Sequence, residues 1–181
     1  MEIEATTHQA DAKACEQAMA ELLAAGATLY DAATEVSEEY WFTMREHRQQ
    51  GGAFFSYIVR VRRRAYGVTI EWMKGRVAGS GDKRRMLLDA IARGRTANYP
   101  RSRFGGANEW ELAQIMAAEK EFGKIRMASD LVSSAGRRLA WVQKTLERTG
   151  AVEERRIREV LREVGKACAV ANSFKGGDLE I

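Results

Sequence analysis

Cysteine, histidine and proline are all scarce in this sequence. Its two cysteines, Cys15 and Cys168, exclude a disulfide framework and a four-cysteine zinc site. The two histidines, His8 and His47, lie far apart, and neither neighbours a cysteine or a carboxylate cluster at ligand spacing. A tyrosine nickase that relies on a histidine-bound metal is therefore not expected, and His47 reads as a helix-terminus residue rather than a base. No apolar run approaches the roughly 18 residues of a membrane span. Met1–Ala10 is polar and has no signal-peptide core, so a cytoplasmic protein is expected. Gly75–Gly81 contains glycines but no lysine–serine pair opening a helix, which excludes a phosphate-cradling loop of that type. Glu71 and Lys74 faintly resemble a metal-nuclease strand. No Asp or Glu between Gly51 and Ile70 supplies the second carboxylate such a site needs. The chain reads as non-enzymatic and without a cofactor.

Charge is what the chain has in one place. The net charge is +4, but Gly51–Arg103 alone carries thirteen Lys or Arg against Glu71, Asp82 and Asp89, a local balance of +10. The rest of the chain sums to −6. A segregated basic segment points to a polyanion, and nucleic acid is the first candidate in a cytoplasmic protein. The bland alternative is a solvated surface of skewed charge.

Ala53–Arg76 alternates on a two-residue period, which predicts an antiparallel hairpin. Phe55, Tyr57, Val59 and Val61, with Val68, Ile70 and Trp72, make an apolar face. Ile58, Arg60, Arg62 and Arg64, with Thr69, Glu71 and Met73, make the other. Pairing Arg63 with Val68 sets Val61 against Ile70, Val59 against Trp72, Arg60 against Glu71 and Arg62 against Thr69. A one-residue slip would bury the arginines. Two strands are marginal alone, so the apolar face is expected against helix ends near Trp41 and Trp110.

On either side the period changes to three and four. Cys15, Ala18, Leu22, Ala25, Leu29, Ala32, Val36 and Tyr40 mark one amphipathic helix, or two broken near Gly26, over residues 10–50. Asp11 is its expected cap, Gly51–Gly52 its end, and Trp41 and Phe42 its core contribution to the sheet. Val77–Asp82 reads as a loop. Residues 83–93 fit either a short helix or a third strand. Gly94–Gly106 reads as an arginine-rich loop with Tyr99 and Phe104 interleaved.

Asn108, with Glu111 as capping-box partner, starts a long helix whose seam runs from Ile115 to Leu146. Gly123 and Gly136 are weak points within it, and Gly150 breaks it. Ile157, Val160, Leu161, Val164, Cys168 and Ala171 define a shorter last helix, and residues 172–181 fray. The fold class is α+β in a single domain. An N-terminal arm (10–50), a basic hairpin and loop (51–106), a long helix (107–149) and a C-terminal helix (150–172) succeed one another. The two long helices form an antiparallel, coiled-coil-like hairpin within one chain, with the small two- or three-stranded antiparallel sheet inserted between them. A dimer made through the same stripes is the alternative.

The binding residues follow from this arrangement. Arg60 and Arg62 project from a strand, while Arg93, Arg95, Arg101 and Arg103 sit on the glycine-rich loop. Guanidinium forks suit phosphates and guanine edges, and a two-stranded ribbon fits a major groove. Tyr99 and Phe104 are in a position to stack on bases, but the plainer reading as loop anchors in the core is preferred.

Several fragments together resemble the MobI-type conjugative transfer proteins of integrative and conjugative elements and large conjugative plasmids. They are Trp41–Glu46, Ile58–Arg62, Ile70–Trp72, Tyr99–Phe104 and Trp110–Leu112, within about Tyr40–Arg148. The resemblance implies a bacterial auxiliary factor acting at the origin of transfer, with DNA and a relaxase as partners and no catalytic residues of its own. Two rivals are a protein–protein scaffold using the coiled-coil arms and an RNA-binding module.

Overall fold

The computed structural model describes residues 2–149, 152 and 154–175. In order come α1 (Glu2–Gln49), β1 (Tyr57–Arg64), β2 (Gly67–Ala78), a 3-10 turn (Gly81–Lys83) and β3 (Arg85–Ala90). A second 3-10 turn (Arg101–Phe104), α2 (Glu109–Thr149) and α3 (Glu154–Asn172) follow. The fold is α+β, with a three-stranded antiparallel sheet between α1 and α2 and a C-terminal helix. No helix among the described residues is long and apolar enough to cross a membrane. The expected break at Gly150 lies outside the described residues; of the segment 172–181 expected to fray, Asn172 ends α3, 173–175 form a turn, and 176–181 lie outside the described residues.

Helix α1 is one helix and starts at Glu2, so Asp11 lies inside it rather than capping it. The segment before Asp11 holds Glu, Ala and Gln, no Gly or Pro, and acidic residues that suit a helix N-terminus. Its end is as expected. Gly51 takes φ +83°, donates to the Arg48 carbonyl, and Gly52 donates to the His47 carbonyl, the paired bonds of a Schellman cap. Phe42 is 56% exposed, and Met44 is buried instead. Val36, Tyr40 and Met44 continue the stripe at four-residue steps, and Phe42 falls off it.

The hairpin register is the expected one. Arg60 Nη2 meets Glu71 Oε2 at 2.8 Å, and the Gly75 N–H donates to the Ser56 carbonyl at 2.8 Å. Tyr57, Val59, Val68, Ile70 and Trp72 are buried, while Arg62 is exposed and Arg60 half-exposed. Met73, expected on the open face, is buried too, because the central strand flanks it with Ile58 and with its β3 partner Ala90. Residues 85–90 are a strand. β1 covers one edge of β2 and leaves the other unpaired; β3 satisfies that second edge, from Met73 opposite Ala90 to Ala78 opposite Arg85. Pairing outweighs the helical propensity of this run.

The chain forms two compact units. The first gathers α1 up to Tyr30, the hairpin tip Arg63–Gly67, and α2 from Ala128 with α3. Its core includes Leu22, Leu29, Val132, Leu139, Val142, Ile157 and Val164. Tyr66 anchors the tip: its carbonyl accepts from the Ser133 hydroxyl at 2.9 Å and its hydroxyl reaches Met19 Sδ at 2.8 Å.

The second unit holds α1 from Asp31, the rest of the sheet, and α2 up to Met127. Trp72 is fully buried at its centre, with Tyr40, Phe104 and Phe122 edge-on at ring-centroid distances of 5.1, 5.5 and 6.0 Å. These rings take the place foreseen for Trp41 and Trp110. Trp41 packs on Phe55, and Trp110 stacks on His47 at 3.6 Å. Within this unit His47 faces Trp110 while Val36 and Tyr40 face Ala117 and Glu121, so α1 and α2 run antiparallel.

Candidate nucleic-acid interface

The arginine-bearing loop is held from beneath by an ion pair that the seam conceals. Glu119 and Arg126 sit seven residues apart on α2, two turns along one face, and both are buried. The Arg126 guanidinium grips the carboxylate through two nitrogens, at 2.6 and 3.1 Å. Glu119 also accepts from Trp72 Nε1 at 2.7 Å and from the Tyr99 N–H at 2.6 Å. Arg126 donates to the carbonyls of Ile70 and Ala97, and lies 5.0 Å from the Tyr99 ring centroid. One pair therefore joins β2, α2 and the loop, with its donors and acceptors answered. Among the described residues no buried polar side-chain atom lacks a partner.

Glu111 does the same for β1. Asn108 caps α2 as expected, its Oδ1 accepting from the Glu111 N–H at 2.8 Å. The reciprocal half of the capping box is absent. The Glu111 carboxylate instead accepts the N–H groups of Ser56 and Tyr57 at 2.5 and 2.9 Å, which satisfies the outer edge at the start of β1. Burial pushes this carboxyl above the usual range, and the two N–H donors pull it partly back. Tyr40 donates to the Tyr57 carbonyl at 2.9 Å, and burial raises its phenol strongly, with the Glu111 charge adding to the effect.

Tyr99 and Phe104 are buried, so the loop-anchor reading of both is correct. Burial raises the Tyr99 phenol, while a backbone hydrogen bond to Trp72 and the charges of Arg126 and Arg93 oppose the rise. Asn98 packs against Gly123, where a Cβ would fall 1.7 Å from Asn98 Oδ1. This seat fixes the loop between Arg95 and Arg101.

All six candidate arginines belong to the second unit. Arg60 and Arg62 share Glu71, at 2.8 and 3.9 Å, and keep side chains 39% and 49% exposed. Arg95, Arg101 and Arg103 are exposed, the last two on the 3-10 turn, and Arg93 is half-buried beside Tyr99. The sequence marks Glu111 only as the capping-box partner of Asn108, and does not single out Glu119 or Arg126. The further signal all three carry is charge at positions where the apolar stripe of α2 should continue. Among the described residues, no group of three or more His, Cys, Asp or Glu side chains is placed to hold a metal ion.

Fold and site together define a small α+β protein that carries a basic, arginine-bearing sheet and loop between long helices. The chain belongs to the MobI family, whose model matches residues 29–140, more than half of its length. Membership implies a role in conjugative mobilisation. No curated protein and no solved structure matches the chain.

Proposed function

We propose that the protein is a non-enzymatic, cytoplasmic DNA-binding factor that assists conjugative transfer at the origin of transfer, together with the relaxase. The observation that carries this reading is the +10 segment 51–103, which displays Arg62, Arg95, Arg101 and Arg103 to solvent on a rigidly seated scaffold. Family membership supports the setting. Exposed guanidinium groups neutralise phosphates and release counterions, which makes binding salt-dependent. Arg60 and Arg62, aimed by a strand, are the candidates for base edges; Arg93, Arg95, Arg101 and Arg103 are the candidates for gripping backbone.

The test is a gel-shift series with transfer-origin duplex and a scrambled duplex across salt concentrations. It compares wild type with Arg60→Ala/Arg62→Ala and with Arg101→Ala/Arg103→Ala. Loss of each phosphate contact flattens the salt slope by about one unit. Loss of a base contact costs roughly 1–3 kcal/mol and relaxes preference at one position. If both double variants bind as wild type at moderate salt, the basic segment is not the DNA surface and a protein scaffold becomes the better reading. Stronger competition by single-stranded RNA than by duplex DNA would point to the RNA-binding alternative.

A further inference from the structure

The outer edge of β3 is open and apolar. The sheet order is β1-β2-β3, and no strand lies beyond β3 among the described residues. The Ile91 N–H donates to the Trp72 carbonyl, which makes that position a hydrogen-bonded pair. In the observed register Arg85, Leu87 and Asp89 therefore bond inward to β2, while the N–H and C=O groups of Met86, Leu88 and Ala90 point outward. The outward positions put their side chains on the Gly75–Val77 face of the sheet. There Met86, Val77 and Leu88 are 63%, 59% and 46% exposed. An edge of this kind normally carries a lysine, a proline or a bulge, and none interrupts Met86–Ala90.

The edge is complementary to itself. If two copies of β3 pair antiparallel about a twofold axis at Leu87, Met86 and Leu88 of one chain meet Leu88 and Met86 of the other. Arg85 meets Asp89, and Asp89 meets Arg85. The outward groups then form the hydrogen-bonded pairs and Leu87 faces Leu87 in a non-bonded pair, the alternation an antiparallel ladder requires. Asp89 already holds Arg76 at 2.5 Å on its own chain, and a carboxylate accepts a second guanidinium readily. We infer that β3 is a homodimer interface, joining two three-stranded sheets into one six-stranded sheet in which Met86 and Leu88 of both copies form a shared apolar stripe on one face, and Arg85–Asp89 pairs flank the Leu87 pair on the other. A second copy is the occupant because charge and apolar positions match in this one register. The twofold arrangement would also suit a DNA site with inverted half-sites.

Sedimentation velocity without DNA, over a wide range of protein concentration, tests the inference independently of the DNA-binding reading. Wild type is expected to dimerise. Met86→Lys/Leu88→Lys, at exposed positions, sets lysine opposite lysine twice and should weaken the dimer by about tenfold or more with unchanged circular dichroism. Leu87→Cys should form an interchain disulfide on mild oxidation, because non-bonded pairs bring Cα atoms to about 4.5 Å. Leu88→Cys, which faces Met86 of the partner copy, should not. A wild type that stays monomeric, a dimer indifferent to the two lysines, or crosslinking through Leu88→Cys in preference to Leu87→Cys would each overturn the proposal.

Discussion

Buried acceptors on α2 work at the scale of single atoms. Glu111 is 1% exposed and accepts two backbone N–H groups that have no other partner in the sheet ladder. Glu111→Ala leaves the buried Tyr57 N–H and the half-buried Ser56 N–H unpaired and should destabilise by about 2–5 kcal/mol. Glu111→Gln keeps an accepting oxygen and should cost much less. The carboxyl is raised in the folded state, so its protonated form is favoured there. Its contribution is fully present below the unfolded value and is lost as pH rises through the folded one. Urea melts from pH 4 to pH 8 should accordingly show the Gln variant gaining on wild type as pH rises. A constant difference would remove the argument.

The Glu119–Arg126 pair makes a second case at this scale. Arg126→Ala strands a buried carboxylate and should cost about 3–5 kcal/mol in chemical denaturation. It should also loosen the Ala97–Tyr99 backbone, read as faster amide exchange at Tyr99. Trp72→Ala removes a fully buried ring and a donor to Glu119, for about 3–5 kcal/mol.

Helix glycines invert their usual meaning at the scale of elements. By propensity Gly26, Gly123 and Gly136 are defects, and the sequence alone offers no other reading. Each is a point of close approach. A Cβ at Gly26 would lie 2.8 Å from the Gly67 nitrogen, and one at Gly136 would lie 2.8 Å from the Tyr66 ring. Both belong to the first unit, where the hairpin tip must sit flush on its helices. Gly26→Ala should therefore lower the melting temperature, although alanine is worth up to about 1 kcal/mol in an open helix. Gly165→Ala, where a Cβ meets nothing within 4 Å, should raise it. Opposite signs for the two variants are the check.

Long periodic elements were legible because one period persisted over many residues, and the hairpin register because a slip would bury arginines. β3 was not legible, since a six-residue run satisfies helix and strand periods alike. Phe42 lies next to the hairpin in sequence but not in the core, because the stripe that reaches Tyr40 continues one turn further to Met44 and Phe42 falls off it. The six arginines were legible as charge. The buried groups that seat them were not, since Glu119 and Arg126 become partners only once Trp72 and Tyr99 are folded against them.

At the scale of the whole molecule, covalent continuity bears on the expectation of a single domain. The two compact units share elements: α1 passes unbroken through Tyr30–Asp31, α2 through Met127–Ala128, and the hairpin lends Arg63–Gly67 to the first unit and the rest to the second. Melting one unit alone would require two long helices to end in mid-run, each new end exposing unpaired backbone groups and lacking a cap. We therefore propose that the chain unfolds as one cooperative body. Tryptophan placement makes this testable, because Trp41, Trp72 and Trp110 report on the second unit and Trp141 on the first. Trp141→Phe, at a half-exposed site carrying a cation–π contact from Arg156, leaves fluorescence reporting the second unit only. Its fluorescence transition in urea should coincide with the far-ultraviolet circular dichroism transition, which reads helix from both units. Two separated transitions would mean that the units are independent domains, and that α1 and α2 each fray at the boundary without unfolding the neighbour.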